Sequence, residues 1–206
     1  MNQPTRSTKR KKRLLIPKLL FWPVLAFGLL SQSRVIEAGF WDTTFEVVSL
    51  VLLTVGAIGR VWVAAYISGR KSVELVTDGP YSMTRNPLYF FSFIAYVGAG
   101  LAFEKLTLAV VFGVLFYATH WSTIISEETK LREAFGEQFD AYARRVPRFV
   151  PRLSLLRLPE YVTFRTAAFN RAVLDCGLII TVFLLAHVIE YGQNCNVVPI
   201  LIKGIP

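Results

Sequence analysis

Cysteine is nearly absent, with two in 206 residues: Cys176 inside an apolar run and Cys195 beyond it. If that run is helical, a rise of about 1.5 Å per residue puts the two roughly 28 Å apart, far outside disulfide distance. A disulfide scaffold is excluded. Only two histidines occur, and neither CxxC nor HExxH is present, so no metal site is expected. No GxGxxG follows a strand pattern, which leaves a soluble-type dinucleotide domain without a sequence to build it. Carboxylates are few, 14 against 23 Lys plus Arg, for a net charge of +9. No internal repeat is found, and the basic head at residues 1–13 is the only tract of low complexity.

What the chain has is apolar length. Hydrophobic residues make up 53% of it and charged residues 18%, with a mean hydropathy of +0.46. Windows of roughly 17–25 apolar residues, each enough for about 30 Å of hydrocarbon, displace the reading as one soluble domain with a large core. They also weaken a DNA-binding reading of the positive charge. Spans are expected at 14–32, 45–68, 88–103, 106–125 and 173–191. The third and fourth, joined at Phe103-Glu104-Lys105-Leu106, read as an antiparallel helical hairpin.

Basic residues set the orientation, because positively charged loops stay cytoplasmic. The head, the 69–87 loop (Arg70, Lys71, Arg85) and the 126–172 segment (Lys130, Arg132, Arg144, Arg145, Arg148 and further arginines) fall on one side, leaving Arg34, Lys105 and Lys203 opposite. A cytoplasmic amino terminus and an outside carboxyl terminus follow, as for an inner-membrane protein of a prokaryote. No small-residue cleavage site closes the first apolar run, so a cleaved signal peptide is not expected. From Ser126, Leu131, Phe135, Phe139, Tyr142 and Val146 form one apolar stripe at helical spacing. The expected amphipathic helix ends at Pro147, and a weaker one is expected over Pro159–Arg171.

Polar groups at membrane depth are expensive and mark candidate sites. Arg60 in the second span either snorkels or holds an anionic group of a ligand. His120 lies about two helical turns before Glu127 and shares its face, whereas His187 in the last span has less support. Glu127 and Glu128 stand where the fourth span leaves the bilayer. The loop before the third span holds Asp78, Gly79, Pro80, Tyr81, Arg85, Asn86, Pro87 and Tyr89. The hairpin must bring that loop beside the Glu pair, which predicts one pocket at the cytoplasmic mouth.

These residues carry a resemblance. LVTDGPYSMTRNPLYFFSFIAYVGAGLAF and, after one more span, SEETKLREAFGEQFDAYARRVPRFVPRL resemble the integral-membrane methyltransferases of the isoprenylcysteine carboxyl methyltransferase and phospholipid methyltransferase superfamily, over about residues 56–153. The family pattern is GPY, RHPxY, a helical hairpin, EExxL, then FGxxYxxY and a proline-rich stretch. Gly79, Pro80, Tyr81, Arg85, Pro87, Tyr89, Glu127, Glu128, Leu131, Phe135, Gly136 and Tyr142 match it in order. Asn86 replaces the histidine of RHP and cannot titrate; Phe139 replaces the first tyrosine; the apolar span after the proline stretch is additional.

The resemblance implies S-adenosylmethionine bound at the cytoplasmic mouth by Gly79, Pro80, Tyr81, Arg85, Asn86, Pro87, Tyr89, His120, Glu127 and Glu128, with Arg85, Glu128 and Arg60 as the catalytic candidates and no metal. It implies that Glu127 or Glu128 meets the donor's cationic groups or ribose, and that Arg85 and Asn86 meet its carboxylate or purine edge. The acceptor would be lipophilic and arrive from the bilayer: an isoprenylcysteine-type carboxylate first, with an ethanolamine phospholipid as the alternative. An NADPH-dependent membrane sterol or isoprenoid reductase, and a catalytically silent membrane scaffold, are the competing readings. The expected fold is an all-α multi-pass bundle. It comprises a basic head (1–13), two spans (14–68), a catalytic core with its cap (69–153) and an extension with a fifth span (154–206). Nucleic acid is not an expected partner, and oligomeric state is open.

Overall fold

The computed structural model describes residues 31–33, 40–70, 73–103, 106–195, 197 and 202–205. In chain order they form β1 (Ser31–Ser33), α1 (Phe40–Ile67), α2 (Pro80–Met83), α3 (Pro87–Leu101), α4 (Leu106–Phe135), α5 (Glu137–Arg145), a 3-10 turn (Leu153–Leu155), α6 (Thr166–Asn194) and β2 (Ile202–Ile205). The architecture is a helical bundle, and the expected 45–68, 88–103, 106–125 and 173–191 spans coincide with α1, α3, α4 and α6. The 14–32 span lies outside the described residues except for its last two, which are strand. That strand was not foreseen: β1 pairs in parallel with β2, Ser31 opposite Ile202 and Ser33 opposite Ile205.

Among the described residues two helices, Thr43–Ile67 and Leu106–Phe135, are long and apolar enough to cross a membrane. Their outer faces are apolar as well, with Val47, Val51, Ile58, Val110 and Val114 exposed, as suits a bundle solvated by lipid rather than water. The third expected span is shorter than a crossing. At 15 residues, α3 covers about 22 Å against the roughly 30 Å of hydrocarbon. Because α3 is short, its leading loop sits within the end of the bundle, which is why Thr84, Asn86 and Pro87 are buried.

Neighbouring helices run antiparallel and approach through glycine. A methyl group on Gly56 would meet Ala95 Cβ at 2.7 Å, one on Gly98 would meet Leu52 Cβ at 2.9 Å, and one on Gly100 would meet Ala109 Cα at 2.5 Å. Gly59 faces the Phe91 ring in the same way. Gly113 differs, since a methyl there would have its nearest neighbour at 3.6 Å, ordinary contact distance. The added helix α6 runs against α1: Arg165 N–H donates to Ser68 O at 3.3 Å at one end, His187 Nε2 lies 3.2 Å from Glu46 Oε1 at the other, and Cys176 Sγ reaches Ala57 O between them.

The expected 126–146 amphipathic helix is two helices. α4 runs on from the bilayer segment to Phe135, and Gly136 at φ +50° breaks it. α5 then folds back, with Glu137 and Asp140 in its first turn and Arg144 and Arg145 in its last, the charge order that the helix dipole favours. Phe139, Tyr142 and Val146 are buried together, with Leu75, Leu131 and Phe135 packed on them. The stripe therefore faces the protein. Arg132 binds Asp140 at 2.7 Å across the break and covers the Phe139 ring, so phenylalanine in place of the family tyrosine leaves no hydroxyl to satisfy there. The expected helix over Pro159–Arg171 begins only at Thr166; residues 156–165 form irregular chain.

Candidate functional site

The loop from Asp78 to Pro87 owes its shape to one glycine and two prolines. Gly79 has φ +55°, a conformation that L side chains avoid, and the Tyr66 ring stands 2.1 Å from where its Cβ would be. Pro80 and Pro87 open α2 and α3, positions where a missing N–H costs nothing. The loop is then sewn to the proline-rich stretch: Gly79 N–H donates to Arg157 O at 2.8 Å, Arg85 N–H to Pro147 O at 2.9 Å and Arg152 N–H to Met83 O at 3.0 Å. Thr84 Oγ1 donates to Phe149 O at 3.0 Å. On the far side Tyr142 Oη donates to Tyr81 O at 2.7 Å.

Glu128 is the centre of the site. It is 4% exposed, and both its oxygens are engaged. Oε1 accepts from Asn86 Nδ2 at 2.8 Å and lies 3.5 Å from Arg85 Nε; Oε2 accepts from Arg148 Nε at 3.0 Å. One buried carboxylate thus holds two guanidiniums and an amide, a pairing that a buried charge requires. Burial pulls the Arg85 guanidinium below its ordinary range, Glu128 opposes that shift and Arg148 adds to it. Arg85 Nε makes no hydrogen bond; its contact with Glu128 Oε1 is an ion pair.

Asn86 is tied into the protein. Its Nδ2 donates to Glu128 and to Arg148 O at 3.0 Å, so the amide locks the loop to α4 and to the proline stretch. What position 86 needs is a donor, and an imidazole N–H supplies one as an amide does. Asn86→His is therefore expected to lower thermal stability less than Asn86→Leu, which strands Glu128 Oε1 and costs about 1–3 kcal/mol. Thermal unfolding of the two variants in detergent checks the order.

Beside this cluster the Tyr89 hydroxyl hydrogen-bonds Glu127. Burial raises the Tyr81 phenol above its ordinary range, with the charges of Glu127 and Tyr89 adding to the effect; Tyr142 is raised chiefly by burial too. Both phenols stay protonated at neutral pH, and that of Tyr142 donates to Tyr81 O. The Glu pair thus splits in use: Glu128 points inward at the arginines, and Glu127 pairs with a phenol.

Arg60 and His120 lie one layer deeper. Arg60 Nη1 donates to Ser92 Oγ, its Nε is buried without a hydrogen-bond partner, and its charge is near enough to act on Tyr96 and His120. The His120 ring stacks on Phe116 at 4.3 Å and meets the edges of Tyr89 and Tyr96 at 6.0 and 5.9 Å. Tyr89 therefore touches both layers. Sequence reasoning missed Arg148, Tyr66 and Ser92 as parts of the site. An arginine inside VPRFVPRL was a signal for the first; nothing in the sequence marked the other two.

Residues 44–138 match the phospholipid methyltransferase family. The nickel-cobalt-cadmium resistance protein NccN of Alcaligenes xylosoxydans xylosoxydans is 40% identical over 77% of this chain and 76% of its own length. The cobalt-zinc-cadmium resistance protein CzcN of Cupriavidus metallidurans is 41% identical over 74% of this chain and 69% of its own. Protein-S-isoprenylcysteine O-methyltransferase B of Arabidopsis thaliana is 36% identical over 38% of this chain and 40% of its own. No solved structure matches.

Proposed function

Because the chain belongs to the family of NccN and CzcN, within the broad superfamily of S-adenosylmethionine-dependent membrane methyltransferases, we propose that it transfers a methyl group from that donor to a lipophilic acceptor in the bilayer. The observation that carries the reading is the buried Glu128 gathering Arg85, Arg148 and Asn86 beside the Glu127–Tyr89 pair, all but Arg148 inside the matched segment.

The residues present fit the donor. Arg85 would take its carboxylate, and the Glu127 carboxylate would face its cationic groups. Gly79 and Pro80 supply the wall, with Tyr81 and Tyr89 packed at the mouth. When bound, the donor supplies an electrophilic methyl on a sulfonium. The chain's part is alignment and exclusion of water, for which a site sunk into the end of the bundle is suited. Glu128 acts in this scheme as a positioning residue, since its oxygens are spent on holding the arginines.

For the acceptor, the family of the 44–138 match favours a phospholipid amine over the isoprenylcysteine-type carboxylate expected first. An ethanolammonium must lose a proton before its nitrogen can attack, and Glu127 supplies a carboxylate where the donor would lie. Arg60, one layer deeper, would hold the headgroup phosphate. The scheme has five crossings with the amino terminus cytoplasmic, the short α3 completing its own because the loop ahead of it is sunk into the end of the bundle. Pairing of β1 with β2 supports it, because the end of the first span and the tail after α6 then share a side. The 1–13, 14–68, 69–153 and 154–206 divisions serve as head, anchoring spans, catalytic core and added span. The names of NccN and CzcN tie those proteins to metal resistance. We extend that link to this chain, acting through the methylated membrane component.

The test is transfer of labelled methyl in nanodiscs offering phosphatidylethanolamine or a prenylcysteine. The expected product is an alkali-stable N-methyl lipid, with Glu127→Gln slower by on the order of 100-fold at neutral pH. Alkali-labile label on the prenylcysteine would move the acceptor to the carboxylate class. Reduction of a sterol or isoprenoid by NADPH without any methyl transfer would sink the reading.

A further inference from the structure

The strap between α5 and α6, residues 146–165, presents a combination that a water-facing loop does not. Its backbone is turned inward. Arg152 N–H binds Met83 O, Gly79 N–H binds Arg157 O, and Arg157 N–H binds Ser82 Oγ at 2.9 Å. Its large apolar side chains are turned outward: Val150, Leu153, Leu158 and Tyr161 are 70%, 74%, 64% and 80% exposed. Single exposed apolar residues need no explanation, but four on one strap, with the backbone held behind them, form a patch that needs a cover.

The position of the strap identifies the cover. Arg85 N–H ties its first part, at Pro147 O, to the loop just ahead of α3. Arg165 N–H ties its last part to Ser68 O, one residue beyond the end of α1. The strap thus runs around the rim at the level where the membrane-crossing helices leave the bilayer. Charge selects the kind of surface. Arg144, Arg145, Arg152 and Arg157 are exposed on the strap and the turn of α5 leading into it, against one carboxylate in the strap, Glu160. Arginines interleaved with apolar anchors and a tyrosine are the pattern of a segment lying in an anionic interface, with the arginine stems along the apolar layer and the heads among phosphates. The 126–146 stripe, the other sequence candidate for that role, is buried against Leu75 and is not available for it.

We propose that the 146–165 strap docks into the adjacent leaflet through anionic lipid headgroups and thereby steadies the Gly79–Arg85 loop that it holds. Lipid composition then acts on the candidate site through the hydrogen bonds at Met83, Gly79 and Ser82, without any lipid entering it. The inference does not rest on the methyltransferase reading.

The test labels the full chain with an environment-sensitive fluorophore at Leu153→Cys or Tyr161→Cys, and at Glu133→Cys on exposed α4 as a control, in a Cys176→Ala/Cys195→Ser background. Each is placed in nanodiscs of phosphatidylcholine alone or with phosphatidylglycerol. The expected result is a blue shift at 153 and 161 that requires phosphatidylglycerol, with none at 133. An arginine near an anionic surface contributes roughly 5-fold to partitioning, so Arg152→Gln with Arg157→Gln lowers the docked-to-undocked ratio by on the order of 25-fold. Water-exposed emission at 153 and 161 in both discs overturns the proposal, and so does a shift of equal size in both, which would be apolar insertion without recognition of charge.

Discussion

Replacing Glu128 by glutamine is expected to remove ligand binding and to destabilise the fold together. The substitution keeps the volume but leaves Arg85 and Arg148 without their counter-charge, and it turns an amide NH2 toward either Asn86 Nδ2 or Arg148 Nε, both of them donors. Breaking a buried ion pair from one side costs about 3–5 kcal/mol. The lower end applies here, because the Arg148 side chain is 42% exposed and recovers solvation from water. A loss of about 3 kcal/mol corresponds to roughly a 100-fold change in an equilibrium constant. Glu127→Gln supplies the contrast. Glu127 is half-buried and paired with a phenol, so this variant is expected to keep its unfolding temperature within a few degrees of the parent while losing activity. Thermal unfolding of both variants, measured beside ligand binding, separates the two carboxylates.

The second large effect is expected at Gly79→Ala. An L side chain at φ +55° carries backbone strain of about 1–3 kcal/mol. The new methyl also falls on the Tyr66 ring, which the edge of Trp62 backs at 6.3 Å, adding about 1–3 kcal/mol of overpacking. Together these should displace α2 and uncouple Gly79 from Arg157. Gly136→Ala isolates the backbone part, since Gly136 has φ +50° and nothing within 4 Å of its added methyl. Tyr66→Ala removes the overlap but opens a cavity at a buried ring, so Gly79→Ala added to Tyr66→Ala should cost only the strain relative to Tyr66→Ala alone. Unfolding temperatures of the four variants give the partition.

Much of this was legible in the sequence because it is written in long-range periodicity and in short turns. Apolar windows located α1, α3, α4 and α6, and the hairpin logic placed the loop from Asp78 to Tyr89 beside Glu127 and Glu128, some forty positions away. The failures have physical reasons. The stripe through Leu131, Phe135, Phe139, Tyr142 and Val146 keeps helical spacing across Gly136, so periodicity cannot show that the glycine adopts a positive φ and reverses the chain. Arg148 joins the site from an irregular stretch that has no period, and Tyr66 matters only because Gly79 lacks a side chain. The β1–β2 pair joins three polar residues to the tail, too short a signal to read from either strand. Asn86 was read as part of the S-adenosylmethionine pocket that had lost a titratable imidazole; that its amide N–H also locks a loop is visible only once Glu128 and Arg148 O stand on either side of it.

The most direct measurement is calorimetric titration of the purified chain in nanodiscs with S-adenosylmethionine, S-adenosylhomocysteine and NADPH, repeated on Arg85→Ala. The account predicts saturable binding of the first two, lost in the variant, and none of the third. Binding of NADPH alone, or of none of the three by a correctly folded protein, would contradict it.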